Sequence, residues 1–178
     1  GRVMVRRRQV LMLGGGVIAA LGFPHLLPAA PVETIEMRGT GRGERVWFAP
    51  IGLAVAIGTT LRFTNRDPGN SHTSTAYHPE TFDRMLRIPD KATPWDSDFL
   101  LPDESFEVTL TVPGVYDYYC IPHEMAGMVG RIVVGRPGDS GWQGPGQGSE
   151  DLAPEVIAAF PSVGAILAKG RIVKGETS

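Results

Sequence analysis

The chain has 178 residues, of which 42% are hydrophobic and 20% charged, and its formal net charge at neutral pH is −2. This length and composition suit one globular domain with appended segments, and the small net charge gives no support for nucleic-acid binding. The single cysteine excludes an internal disulfide, so it is either a buried bystander or a residue with a chemical role.

Residues 1–30 have the pattern of a targeting segment and are not expected to form part of the folded domain. The run RRRQVL begins at Arg6, and an uncharged apolar stretch follows it. The segment resembles a twin-arginine export signal, and an ordinary secretory signal is the alternative. Both interpretations place the following domain in the periplasm or elsewhere outside the cytoplasm.

The cleavage of this signal is left open by the sequence. Ala29 and Ala30 lead into Pro31, which is a poor residue to follow a cleavage site. Residues 9–27 approach the length of about 20 residues that spans a bilayer, although His25 interrupts their apolar character. A membrane tether through residues 9–27 is therefore an alternative to a cleaved signal.

The periodicity of residues 31–135 is that of β-strands. The stretches IGLAVAIGTTLRFTN and FEVTLTV alternate apolar residues with small or polar ones, as strands with one buried face do. VYDYYC places Tyr116, Tyr118 and Cys120 on one face. Short strands separated by turn residues predict an all-β sandwich or barrel of antiparallel type.

Two further segments follow this predicted domain. Residues 136–149 are rich in Gly, Pro and Ser and are predicted to be a linker. Residues 150–178 carry apolar side chains at helical spacing, and Pro161 is expected to divide or kink this helical tail. We expect the tail to pack against the β-domain or a neighbour, and a specific partner-binding role is the alternative.

The segment YYCIPHEMAGMVG indicates a metal site. Cys120, His123 and Met128 follow the spacing C-x2-H-x4-M in a loop that contains proline and glycine. A thiolate, an imidazole and a thioether form a soft mixed ligand set that suits copper, whereas zinc usually recruits more thiolates or histidines. The alternative is that each of these residues is ordinary packing, which is the commoner role of each residue taken alone.

A second histidine would complete the blue-copper set of two histidines, one cysteine and a weak axial methionine. Of the four histidines, His25 lies in the targeting segment, which leaves His72 and His78 beside His123. His72 follows the strand-like LRFTN, where a second loop would meet the first, and is favoured over His78.

Two stretches, GTTLRFTNRDPGNSHTS and PGVYDYYCIPHEMAGMVGRIVV, resemble the cupredoxins of the plastocyanin, pseudoazurin and halocyanin group. The resemblance covers about residues 45–135. It implies a Greek-key β-sandwich with one type 1 copper ion that cycles between Cu(I) and Cu(II), and electron transfer as the usual activity. The implied copper ligands are His72, Cys120, His123 and Met128.

Met125 and Thr73 lie near these ligands and are not among them. Met125 does not fit the axial spacing and is expected to lie outside the ligand set. Thr73 stands where plastocyanins often have Asn, so the resemblance does not identify the hydrogen bond made beside His72.

Three function classes are compatible with such a site. An electron carrier between a redox protein donor and a redox protein acceptor is favoured. A copper oxidoreductase is less favoured, because it would need further histidine ligands and His78 alone remains for that role in residues 31–178. The protein is therefore not expected to be an enzyme, and a copper carrier or storage module is the remaining alternative.

The resemblance also suggests a docking surface, an apolar patch around the exposed edge of His123 that would shorten the path of the electron. Residues 31–135 contain 9 Lys and Arg against 14 Asp and Glu, a formal charge of −5, which would steer a basic partner. The predicted docking residues are Pro50, Ile51, Leu53, Pro122 and Met125.

Overall fold

Two β-sheets face each other across an apolar core in residues 30–174, the part of the chain that this computed structural model describes. The predicted targeting segment, with the alternative tether at residues 9–27, lies outside the described residues except for Ala30. The strands in chain order are β1 (Val32–Gly39), β2 (Val46–Ala49), β3 (Gly52–Val55), β4 (Thr59–Asn65), β5 (Thr75–Ala76), β6 (Ser105–Leu110), β7 (Gly114–Tyr119), β8 (Val129–Val134) and β9 (Arg171–Ile172).

The connections between the strands cross repeatedly from one sheet to the other. The first sheet has the order β2-β1-β4-β6, in which β1 is antiparallel to β2 and parallel to β4. The second sheet has the order β5-β7-β8-β3-β9, in which β3 is parallel to β8 and antiparallel to β9. This arrangement confirms the predicted all-β Greek-key sandwich, whereas the parallel pairs β1–β4 and β3–β8 differ from the antiparallel type expected from the sequence.

Side chains that alternate along the strands fill the space between the sheets. Leu61 and Phe63 of β4 are fully buried, as the alternation in LRFTN predicts. The ring of Tyr118 meets Phe48 edge-on, with ring centroids 4.7 Å apart, and Phe63 in the same way at 5.3 Å. Cys120 belongs to the same buried cluster, so its thiol lies in an aromatic core that excludes water.

The C-terminal tail consists of two short helices and a strand, which confirms its predicted helical character. Helix α1 (Pro154–Ala159) ends before Pro161, and helix α2 (Val163–Lys169) begins after it. Ser162 caps α2, because its hydroxyl accepts a hydrogen bond from the N–H of Ala165 at 3.1 Å. Strand β9 then joins the second sheet beside β3, a pairing that the sequence pattern did not indicate.

The tail covers the outer face of the second sheet, so every residue of β7 and β8 is buried. Tyr119 of β7 packs in one cluster with Val156 of α1, and Val133 of β8 packs in another with Ile166 of α2. The alternation in VYDYYC had predicted a single buried face. The second face is also buried because the two helices supply a further apolar layer.

A buried charge cluster holds this layer in place. Asp117 of β7 accepts hydrogen bonds from Nε of Arg87 at 3.0 Å and from Nε of Arg131 at 2.7 Å. Arg131 also donates to the carbonyl oxygen of Pro161 at 3.0 Å. The ring of Phe160 lies 5.3 Å from the Arg87 guanidinium and 5.1 Å from that of Arg131, so both cations contact the tail.

Residues 136–149, predicted to be a linker, are hydrogen-bonded to the sandwich. The N–H of Val115 donates to the carbonyl oxygen of Gln143 at 2.9 Å, and the N–H of Asp90 donates to the side chain of Gln143 at 2.9 Å. Arg87 donates to the carbonyl oxygen of Gly148 at 2.6 Å. The predicted domain boundaries stay predictions, but this segment packs as part of the sandwich rather than as a free spacer.

Candidate metal centre

The candidate ligands come from two loops that meet at one end of the sandwich. His72 follows β4 after a turn, and its N–H donates to the carbonyl oxygen of Leu100 while its own carbonyl accepts from Leu100. Cys120 directly follows β7 and begins a 3₁₀ helix, Ile121–Ala126, that contains His123. Gly127 follows the helix, and its φ of 82° lies in the left-handed region that favours glycine.

The structure brings His72, Cys120 and His123 together as a group whose ligand atoms all lie within 4.8 Å of one another. The Sγ atom of Cys120 lies 3.6 Å from Nδ1 of His72 and 3.4 Å from Nδ1 of His123. His72 and Cys120 are fully buried, whereas His123 is half-buried. The two Nδ1 atoms and the sulfur therefore face a common point that one metal ion would occupy.

The two methionines of the loop differ sharply in environment. Met128 is fully buried in the core cluster with Cys120, and its carbonyl oxygen accepts from the Cys120 N–H at 3.0 Å. Met125 is 66% exposed, in agreement with its expected place outside the ligand set. His78, the alternative to His72, is outside the group, and its Nδ1 accepts from the N–H of Glu80 at 2.9 Å.

Thr73 ties the two ligand loops together. Its N–H donates to Sγ of Cys120 at 3.3 Å, and its hydroxyl oxygen accepts from the N–H of Ile121 at 2.9 Å. The hydroxyl also lies 3.0 Å from that of Thr75. The hydrogen bonds beside His72, which the sequence left open, are therefore made by Thr73. Its hydroxyl fixes the start of the 3₁₀ helix relative to His72.

Asp67 is a residue of the site that the sequence analysis missed. Its carboxylate lies 2.8 Å from Nε2 of His72, and both side chains are buried. The available signal was the turn sequence DPGN, which places an acidic side chain shortly before the predicted ligand. A turn with this composition is common in exposed loops, so the pattern did not distinguish a buried carboxylate from a solvated one.

Burial and hydrogen bonding shift the pKa values of these groups. Burial raises the pKa of the Cys120 thiol to about 11, although hydrogen bonds from Thr73 oppose the shift. Burial lowers the pKa values of His72 and His123, so both imidazoles are neutral donors at pH 7. Burial works to raise the pKa of Asp67, but the hydrogen bonds from Gly69 and other donors outweigh it and the pKa is lowered.

The predicted docking residues fall into two sets. Pro122 and Met125 are exposed on the 3₁₀ helix beside His123, and Ile121 is 38% exposed there. Pro50, Ile51 and Leu53 are buried, so their assignment to an exposed docking surface is wrong. Leu53 belongs to the core between the sheets, and the N–H of Ile51 donates to Ile172 of the tail at 2.9 Å.

The donor set and the fold together define the class of protein. One cysteine sulfur, two imidazole nitrogens and a buried methionine on a Greek-key sandwich constitute a type 1 copper site, with His72, Cys120, His123 and Met128 as the residues that would hold the ion.

The comparisons with known sequences agree with this class. Residues 35–135 match the family of copper binding proteins described as plastocyanin/azurin. A chloroplastic plastocyanin of Hordeum vulgare is 32% identical over 138 residues, 75% of this chain and 83% of the relative. The plastocyanin of Prochlorothrix hollandica is 33% identical over 115 residues, 61% of this chain and 80% of the relative. The pseudoazurin structure from Methylobacterium extorquens has a TM-score of 0.47 and 24% identity, covering 60% of this chain and 76% of the other. The chain belongs to the plastocyanin/azurin family.

Proposed function

We propose that the protein carries single electrons on one type 1 copper ion between a redox protein donor and a redox protein acceptor outside the cytoplasm. The proposal is supported chiefly by hydrogen bonds that hold two of the ligands, Cys120 and His72, in place without the metal. The Thr73 N–H holds the sulfur of Cys120, and Asp67 holds the ring of His72. Bound copper supplies a one-electron couple, and ligands held in this way would move little when its valence changes.

The half-buried ligand His123 is the proposed route of electron entry and exit. His72 and Cys120 are fully buried, so neither side chain reaches a partner. His123 lies on the 3₁₀ helix beside Pro122 and Met125, both of which are exposed. An apolar contact at these residues would exclude water and shorten the distance between the copper ion and the redox centre of a partner.

The proposed location is the periplasm or another compartment outside the cytoplasm. The support is the twin-arginine-like pattern in residues 1–30, which fits export and leaves the alternative of a tether through residues 9–27. In residues 30–174, no helix combines the length and the apolar character that crossing a bilayer requires.

A copper oxidoreductase and a copper carrier are the two alternative functions, and each requires different features of the chain. A copper oxidoreductase would need further ligands, and His78, the remaining candidate in residues 30–174, is engaged in a local turn with Glu80. A copper carrier would release its ion to a recipient instead of retaining it through many turnovers. The burial of Cys120 and Met128 favours retention.

The test combines an absorption spectrum of the oxidised protein with a copper count. We expect an intensely blue or green protein with one copper ion per chain, because a thiolate bound to Cu(II) absorbs strongly in the visible. Cys120→Ser and His72→Gln should lose the colour, whereas the matched control His78→Gln should keep it. Colour retained in Cys120→Ser would refute the site, and copper loss during repeated voltammetric cycles would favour the copper carrier.

A further inference from the structure

Asp67 has a buried carboxylate in contact with the copper ligand His72. Its side chain is 1% exposed, and that of His72, 2.8 Å away, is 0% exposed. A buried carboxylate is costly unless hydrogen bonds stabilise it, and in residues 30–174 the one basic side chain within ion-pair distance is the imidazole of His72. The carboxylate therefore faces the copper ligand instead of a lysine or arginine.

Hydrogen bonds from neighbouring residues hold the Asp67 carboxylate in place. Its Oδ1 accepts from the N–H of Gly69 at 2.9 Å, and its Oδ2 accepts from the side-chain amide of Asn70 at 3.0 Å. The side chain of Asn65 accepts from the Asp67 N–H at 2.9 Å and donates to the carbonyl oxygen of Asn70 at 2.8 Å. All these partners donate to the carboxylate or fix its backbone, which is the arrangement that stabilises an anion.

Gly39 at the end of β1 provides the space that the carboxylate occupies. A Cβ atom at this position would lie 2.2 Å from Oδ2 of Asp67, which is closer than any real contact. The glycine is needed here because any side chain would displace the carboxylate that contacts His72.

We propose that Asp67 is a positioning residue that fixes the His72 ring and lowers the reduction potential of the copper ion. A carboxylate that accepts from Nε2–H leaves Nδ1 free as the metal donor and makes the imidazole a stronger donor. Its negative charge also stabilises Cu(II) relative to Cu(I), because electron gain lowers the positive charge that the carboxylate attracts. This inference rests on the proposed electron-carrier function and adds a determinant of its potential.

The first experiment is voltammetry of the copper-loaded full chain and its Asp67→Asn variant. The asparagine amide oxygen can still accept from Nε2–H, so the substitution removes the charge and keeps that hydrogen bond, although its NH2 group cannot accept from the N–H of Gly69. We expect the ratio of Cu(II) to Cu(I) affinity to fall about tenfold, which raises the potential by about 59 mV for a one-electron couple.

The matched control is Asp103→Asn, which removes the same charge from a side chain that is 78% exposed and paired with Arg66. We expect its shift to be much smaller, because solvent screens an exposed charge. A shift in Asp67→Asn that is no larger than in the control, or that is downward, would overturn the inference. A wild-type protein without a reversible copper couple would overturn the proposed function together with it.

A measurement on the wild-type protein keeps the inference testable if Asp67→Asn fails to fold. In the diamagnetic Cu(I) form, nitrogen-15 correlation spectra should show a proton on Nε2 of His72 that exchanges slowly with water. An Nε2 atom without a proton, or a proton that exchanges at the rate of an exposed imidazole, would show that Asp67 does not hold the ring.

Discussion

Replacement of Asp117 by asparagine should destabilise the protein strongly without changing its copper site. Asp117 is fully buried on the outer side of β7, where it accepts hydrogen bonds from Arg87 and Arg131 at 2.7 to 3.0 Å. Asparagine preserves the shape but leaves two buried guanidinium groups without a counter-charge. Removal of one member of a buried ion cluster costs about 3–5 kcal/mol. Because the asparagine amide keeps one hydrogen bond, we expect the free energy of unfolding to fall by about 3 kcal/mol, the lower end of this range.

The assay is urea unfolding of the copper-loaded protein, followed by circular dichroism, with the visible spectrum recorded before unfolding. A loss of about 3 kcal/mol corresponds to a drop of about 6–12 °C in the melting temperature of a chain of this size. The matched control is Glu107→Gln, which breaks the exposed pair with Arg62 and should cost at most about 1 kcal/mol. An Asp117→Asn variant as stable as this control would refute the role of the cluster in holding the tail.

Three further outcomes follow from the site and its surface. Met128→Leu should keep copper bound and raise the reduction potential, because a weak donor that favours Cu(II) is lost. A larger effect of Met125→Leu on the potential in voltammetry would contradict the ligand assignment. Leu53→Glu should prevent folding, because it places an unpaired charge in the core, and a folded variant by circular dichroism would contradict this. Met125→Glu should leave the spectrum unchanged and slow electron transfer to the redox partner in stopped-flow measurements, whereas unchanged rates would exclude this surface.

The parts of the site that lie close together in sequence were predictable. Cys120, His123 and Met128 share one loop, and their spacing alone restricts how their side chains converge. The alternation in LRFTN predicted the burial of Leu61 and Phe63, because a strand with one buried face leaves that period in its sequence. His72 was predicted from its place after this strand, where the two loops meet.

The features that depend on contacts between distant segments were not predictable. The tail contributes to the burial of Ile51, whose N–H donates to Ile172, and no local pattern near residue 51 indicates such a neighbour. The burial of Asp67 was not predictable for the same reason. Its turn sequence is typical of a solvated loop, and the contacts with Gly39 and His72 that enclose the carboxylate appear only in the fold. Burial by a remote segment leaves no period in the sequence of the residues that it covers.

The pairing of β9 with β3 has a consequence for the synthesis of the protein. The N–H groups of Ile51 and Ala54 donate to the carbonyl oxygens of Ile172 and Gly170 at 2.9 and 2.8 Å. A nascent chain that has emerged from the ribosome only as far as β8 contains every candidate copper ligand, yet one edge of its second sheet is unpaired. Open strand edges recruit other chains, so newly made molecules at this stage are exposed to aggregation. Once β9 has paired with β3, the two-residue β9 is itself the edge, and so short an edge strand recruits other chains less readily.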